Sequence, residues 1–244
     1  MLETGSTSKS SCRSRSAINT NIPDNTQHTM ISDTPFTLTH DSKLDDLLAA
    51  NKQWSKSMNN LHPSLFPEFN GKGQQPHTLF IGCSDSRYNE TCLGVLPGEV
   101  FTWKTVANIC NPEDLTLMAT LEFAIRCLKV NKVVVCGHTD CGGIKTCLTG
   151  QLEPLKDKEG LNCGHLYQYL HDIDELHRSE KEQLASFPTL EEKSKYLSHC
   201  NVKRQFAQIM KNDTVKNAIV AQELEVYGLV YNVDSGLLDP VIAN

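Results

Sequence analysis

Thr78-Leu79-Phe80-Ile81-Gly82-Cys83-Ser84-Asp85-Ser86-Arg87 is an apolar run that ends in glycine and then presents a thiol, a carboxylate and a guanidinium at alternate positions. The pattern predicts a buried strand at about 77–82 whose C-terminal edge carries Cys83, Asp85 and Arg87. A second stretch repeats the design: Val133-Val134-Val135-Cys136-Gly137-His138-Thr139-Asp140-Cys141-Gly142-Gly143. There a valine run ends in glycine, and a histidine and a cysteine follow three residues apart. Cys83, His138 and Cys141 together offer two sulfurs and one nitrogen, a donor set that suits Zn²⁺ and leaves a fourth position open. Cys136 makes a poor fourth ligand because strand alternation buries it. An open position favours catalysis over a purely structural site.

Outward from these two stretches, turns and periodicities alternate. Pro97-Gly98 marks a turn before a second strand at 99–103. Asn111-Pro112-Glu113-Asp114 starts a helix whose apolar face is Leu115, Met118, Leu121, Ala124, Ile125 and Leu128. The third strand, 132–137, is nearly all valine, as expected of a strand buried on both faces. Gly142-Gly143 opens a short helix, and Leu166, Tyr169, Leu170, Ile173 and Leu176 form a further helical stripe. Thr189 is placed to cap a longer helix reaching about 211, and a last strand at 226–233 ends in the turn Asp234-Ser235-Gly236. Upstream, Ser42 is placed to cap a helix whose stripe of Leu44, Leu47, Leu48, Trp54 and Met58 needs cover from the domain or from another subunit.

This alternation predicts an α/β domain around a mainly parallel sheet. Sites in such sheets form beyond the C-terminal strand ends, where the strand order reverses. If the first and third strands are neighbours and the second lies outside the first, the reversal falls between the two ligand-bearing strands. Residues 1–34 are rich in Ser, Thr and Asn with no hydrophobic period, and are expected to be a disordered leader to a catalytic domain at 35–244.

With 244 residues and 39% hydrophobic content, the chain can bury one substantial core. A net charge of −6 gives no bulk attraction to nucleic acid, and no apolar run approaches the ~18 residues of a membrane helix. Ten cysteines without a secretory-type leader, several of them in apolar stretches, point to a reducing compartment, and a cytoplasmic location is expected. Lys9, Arg13 and Arg15 among serines hint at mitochondrial import, against which stand Glu3 and the lack of an amphipathic apolar face.

Asp85 and Arg87 read alone are a loop salt bridge. Beside a metal, Asp85 could be an anionic fourth ligand, or could accept a hydrogen bond while Arg87 holds it back. A thiol phosphatase would need a longer loop of amides than the three residues between Cys83 and Arg87, and a dithiol redox centre lacks its Cys-x-x-Cys pair. A zinc-stabilised scaffold, a thiol chaperone and a hydrolase of CS₂ or COS on the same site stay open on these residues.

Cys83-Ser84-Asp85-Ser86-Arg87, Pro97-Gly98-Glu99, Val106-Ala107-Asn108 and Cys136 to Gly143 resemble the β-class carbonic anhydrases, over roughly 35–240. Arg87-Tyr88-Asn89-Glu90 and Tyr227-Gly228-Leu229-Val230-Tyr231 resemble the fungal branch. The resemblance implies one zinc per subunit on Cys83, His138 and Cys141, an Asp85–Arg87 dyad, and CO₂ hydration by zinc-bound hydroxide. It also implies a four-stranded parallel core of order 2-1-3-4, a homodimer or dimer-based oligomer with the N-terminal helix across the partner, and bicarbonate supply for carboxylation. Gln74, nine residues before Cys83, and Gly142 would belong to the substrate pocket. Lys104-Thr105 stands where many relatives carry Arg-Asn, and Phe80 where bicarbonate-regulated bacterial relatives carry Trp. The chain thus departs from the pattern of their second, inhibitory site. Two thiolates neutralise Zn²⁺, so the rate is expected to rise across mildly alkaline pH, above the value of about 7 typical of a three-histidine site. The residues choose no proton shuttle among His62, His77, His165 and His171.

Overall fold

Near-continuous apolar runs, with successive side chains on opposite faces, make the central strands buried on both sides. In the computed structural model, which describes residues 35–156 and 161–244, β1 (Thr78–Cys83) has all six residues buried. With β2 (Val100–Thr105), β3 (Lys132–His138), β4 (Glu225–Tyr231) and β5 (Leu238–Ala243) it forms one sheet, ordered β2-β1-β3-β4-β5. β1 pairs in parallel with both β2 and β3, and β3 in parallel with β4. The four-stranded parallel core and its order are therefore as expected, and the strand order reverses between β1 and β3.

The fifth strand departs from expectation. β5 lies antiparallel to β4 at the edge, with a register shift at Gly228/Leu229. Pro240 interrupts its sequence, and proline is tolerated in a sheet chiefly on such an edge, where its missing N–H costs no ladder bond.

The helices are α1 (Leu44–Leu61), α2 (Leu115–Glu122), α3 (Gly142–Leu148), α4 (Gly164–Tyr169), α5 (His171–Ser179), α6 (Lys181–Leu184), α7 (Leu190–Ile209) and α8 (Asp213–Val220). Asp114 caps α2 through the Thr116 amide, and Thr189 with Glu192 forms a reciprocal capping box on α7. Ser42 does not cap α1: its hydroxyl accepts from the Thr39 amide, while Asp46 accepts from the Lys43 amide. None of the α1 residues is buried. The chain divides between Trp54 and Ser55 into two units, and the sheet lies in the second. The leader expected over 1–34 lies outside the described residues.

Leu79, Ile81, Val133, Val135 and Val226 pack on one face of the sheet with Leu117, Leu121, Phe206, Ile209 and Val215. Phe80, Val134 and Cys136 pack on the other with Tyr88, Ile144, Leu170, Ile173 and Leu197. Each fully buried aliphatic side chain contributes about 1.5–3 kcal/mol of transfer free energy, so these layers hold the strand ends in fixed relation. Gly137 lets α7 approach β3: a Cβ there would lie 2.7 Å from Val202 Cγ2. That contact brings the middle of α7 to the strand that ends in His138.

Candidate metal centre

Because β1 and β3 are adjacent and parallel, their C-terminal ends emerge side by side. The ligand atoms of Cys83, His138 and Cys141 lie within 4.8 Å of one another, and all three residues are buried. His138 Nδ1 lies 2.9 Å from the Thr139 carbonyl, which can only accept, so that nitrogen carries the proton. His138 Nε2 is then left with its lone pair, buried and without a hydrogen-bond partner. An orphaned buried nitrogen beside two sulfurs fits a cation site, because an unpaired polar atom in the interior is otherwise costly.

The two sulfurs share a proton. A hydrogen bond from the Cys141 thiol, the largest influence, lowers the Cys83 pKa to about 4 against the opposing effect of burial. Cys141 is pushed up for the same reason, and by burial, against the opposing pull of the Ile144 and Gly143 amides. A divalent cation would replace this shared proton and satisfy both sulfurs as thiolates. Cys136, as expected, is fully buried and outside the set.

Asp85 stands at the open side. Its Oδ1 accepts from the Arg87 backbone amide at 2.9 Å and from Nε at 3.0 Å, and its Oδ2 accepts from Nη2 at 2.8 Å. Asp85 Oδ2 is also 3.8 Å from His138 Nε2. This bidentate pairing, chiefly the Arg87 side-chain bond, holds the Asp85 pKa at about 2 against the opposing effect of burial. Arg87 is itself anchored from the far side: Nη1 donates to Asp140 Oδ2 at 2.7 Å and Nη2 to the Asp140 carbonyl at 3.0 Å. Lys145 in turn pairs with Asp140.

Tyr88 is the site residue that sequence reasoning missed. Its hydroxyl accepts from the Cys83 amide at 2.6 Å and donates to the Cys136 carbonyl at 2.8 Å, tying the two ligand strands together. Its ring lies 4.9 Å from that of His138 and stacks on Tyr231 at 5.4 Å. Gly82 makes room, since a Cβ there would lie 3.0 Å from the Tyr88 hydroxyl. Phe80 meets the Tyr88 ring edge-on, and Lys104 donates to the Tyr88 carbonyl. Phe80 and Lys104, two of the three positions singled out above for their difference from the family pattern, thus both contact Tyr88. Its place one residue after Arg87 was the available signal, but a lone tyrosine in a loop carries no spacing rule.

The remaining expected positions lie apart from this core. Gly142 opens α3 directly after Cys141, exposed, with open space where a Cβ would stand. Gln74 is exposed on the segment before β1 and makes no hydrogen bond among the described residues.

A fold with strand order reversing between two ligand-bearing strands, and a Cys-His-Cys cluster beside an Asp–Arg pair, defines a class. A family model described as carbonic anhydrase matches residues 78–238. The carbonic anhydrase of Saccharomyces cerevisiae is 66% identical over 206 residues, which covers 84% of this chain and 92% of that protein. The solved β-carbonic anhydrase CafA of Aspergillus fumigatus is 38% identical with a TM-score of 0.72, over 82% of this chain and 90% of that one. Tetrameric β-carbonic anhydrases of Sordaria macrospora give 32% identity and a TM-score of 0.72, over 81% of this chain and 96% of that one. The chain belongs to the β-carbonic anhydrase family, and it is an enzyme of that class.

Proposed function

We propose that the chain hydrates CO₂ reversibly to bicarbonate and a proton, using one zinc ion held by Cys83, His138 and Cys141. The observation that carries this reading is the buried, unpartnered His138 Nε2 facing two sulfurs, with the Asp85 carboxylate 3.8 Å away. When bound, zinc supplies Lewis acidity that makes a nucleophile available from water at mildly alkaline pH.

The chain's own groups do the rest. Asp85 is ionised at every working pH, so Oδ2 can accept a hydrogen bond from the attacking water and keep its lone pair directed at CO₂. Arg87 occupies both Asp85 oxygens and thereby supports a resting state in which the carboxylate stays off the metal. Tyr88 keeps the Cys83 and Cys136 strand ends in register. Gln74 and Gly142 are assigned to the substrate pocket by resemblance.

Bicarbonate supply for carboxylation reactions is the role that the resemblance to the fungal branch implies. The tetrameric fungal relatives support a homodimer or dimer-based oligomer. Ligation requires Cys83 and Cys141 to stay reduced, which supports a cytoplasmic location. Among the described residues no helix is long and apolar enough to cross a membrane.

The test is zinc content per subunit and stopped-flow CO₂ hydration on one preparation. Stoichiometric zinc with turnover that disappears on chelation is expected. Turnover that survives complete zinc removal, or a zinc-loaded protein that hydrolyses CS₂ or COS but not CO₂, would overturn the reading.

A further inference from the structure

The Cys83 sulfur has a second neighbour that the reaction as described does not use. The Ala107 amide donates to Cys83 Sγ at 3.2 Å. Ala107 and the following Asn108 both have left-handed backbones, with φ of +55° and +47°, which side chains bearing a Cβ disfavour. Two such residues in succession, both buried, require something to hold them.

That restraint comes from α7. Asn201 Nδ2 donates to the Ala107 carbonyl at 2.9 Å and to Asn108 Oδ1 at 3.3 Å. One helical turn on, Gln205 Nε2 donates to Asn201 Oδ1 at 2.9 Å and to Asp172 Oδ2 at 2.7 Å, while Gln205 Oε1 accepts from the Cys110 amide at 2.8 Å. The two ends of this chain of bonds fix its direction. The Ala107 carbonyl can only accept and the Cys110 amide can only donate, so neither side-chain amide can be reversed without breaking a buried bond. Asn201 and Gln205 are each about 1% exposed, so this chain of bonds lies away from the surface.

We propose that Asn201, braced by Gln205, is a positioning residue for the Cys83 sulfur. It holds Ala107 in the left-handed conformation from which the Ala107 N–H reaches the ligand thiolate. This rests on Cys83 being a metal ligand. Without Asn201, the cheapest relaxation returns Ala107 to negative φ and swings its N–H off the sulfur. The sulfur then becomes a stronger donor with a less defined position. An amide at position 201 thus acts on the metal from the far side of a buried bend.

The full chain loaded with cobalt(II) in place of zinc reads this directly, through its thiolate-to-cobalt charge-transfer absorption and through metal affinity in competition with a chelator. Asn201→Ala and the isosteric Asn201→Asp should move the absorption to longer wavelength, as the freed sulfur donates more strongly, and should weaken metal binding about tenfold or more, because the loss of a fixed sulfur position outweighs that gain. Adding Ala107→Gly to Asn201→Ala should return most of both, because glycine holds positive φ without restraint. An unmoved absorption, or a loss of affinity that Ala107→Gly does not lessen, would reduce Asn201 to core packing and overturn the proposal. Should the Asn201 variants fail to fold, wild-type protein loaded with an NMR-active cadmium isotope decides. A through-bond coupling from the Ala107 amide proton to the metal supports the proposal, and its absence overturns it. A wild-type chain that takes up neither metal would instead defeat the metal reading itself, and this proposal with it.

Discussion

Two loops hold the Cys83 sulfur, and they do so by opposite means. The loop after β1 is ionic and reaches solvent: its Asp85 and Arg87 join Asp140, just beyond β3, and Lys145 of α3 in a run of alternating charges. The bend after β2 is buried and neutral: Ala107 and Asn108 are held by the side-chain amides of Asn201 and Gln205. The contrast follows from dielectric. Where solvent and substrate enter, charges are affordable and can rearrange. Inside, an unbalanced charge would cost several kcal/mol, and neutral amides fix geometry without that penalty. The exposed side should therefore govern chemistry, and the buried side should govern the metal.

The largest effect should come from the atom that the two sides share. Cys83→Ser replaces a thiolate by a hydroxyl that stays protonated, so zinc content by elemental analysis should fall at least about tenfold, and CO₂ hydration with it. A serine variant that keeps full zinc would remove Cys83 from the ligand set and end the comparison. Next comes Asp85→Asn, which keeps the shape but not the acceptor charge. It should retain zinc and lose activity about a hundredfold. If that variant instead loses its metal, the exposed loop is part of the scaffold and the division between chemistry and metal fails.

The legibility of these two loops in the sequence was unequal for the same reason. Cys83, Asp85 and Arg87 sit at alternate positions behind a strand, and His138 and Cys141 behind another, so short spacings carry them. The parallel core was readable because β1 and β3 are almost wholly apolar. The buried bend was not: Ala107 and Asn201 are 94 residues apart, and neither residue type announces a left-handed backbone or its restraint. Tyr88 escaped because its two hydrogen bonds, to the Cys83 amide and the Cys136 carbonyl, are tertiary. β5 escaped because Pro240 masks a strand that only its edge position permits.

Asp140 lies behind the dyad and should matter less than Asp85. Asp140→Asn weakens its pairing with Arg87 and Lys145 but leaves the bidentate Asp85–Arg87 bonds in place. We expect a fall in kcat of less than about tenfold with zinc unchanged, since the pairs that it weakens are largely exposed. A loss as deep as that of Asp85→Asn would show that Arg87 is held from Asp140 rather than from Asp85, and would move the centre of the ionic run from the loop after β1 to the one after β3.

The smallest effect separates the two loops most cleanly, because only one of them titrates. The Asp85 pKa is about 2 in the folded chain, below the 3.8 of a free aspartate, chiefly through its bond to Arg87. A carboxylate with a depressed folded pKa binds fewer protons folded than unfolded around pH 2–4. Its stabilisation is therefore complete above about pH 4 and lost as the pH falls through about 2. Screened as a partly exposed pair, it is on the order of 1 kcal/mol. Wild type and Asp85→Asn should thus differ in urea midpoint at pH 6 and converge as the pH approaches 2. Asn201→Ala removes a neutral group, so its deficit against wild type should stay constant over the same range. A wild-type advantage over Asp85→Asn that also stays constant into acid would mean that Asp85 stabilises through shape and not through charge, and the two loops would then differ in exposure alone.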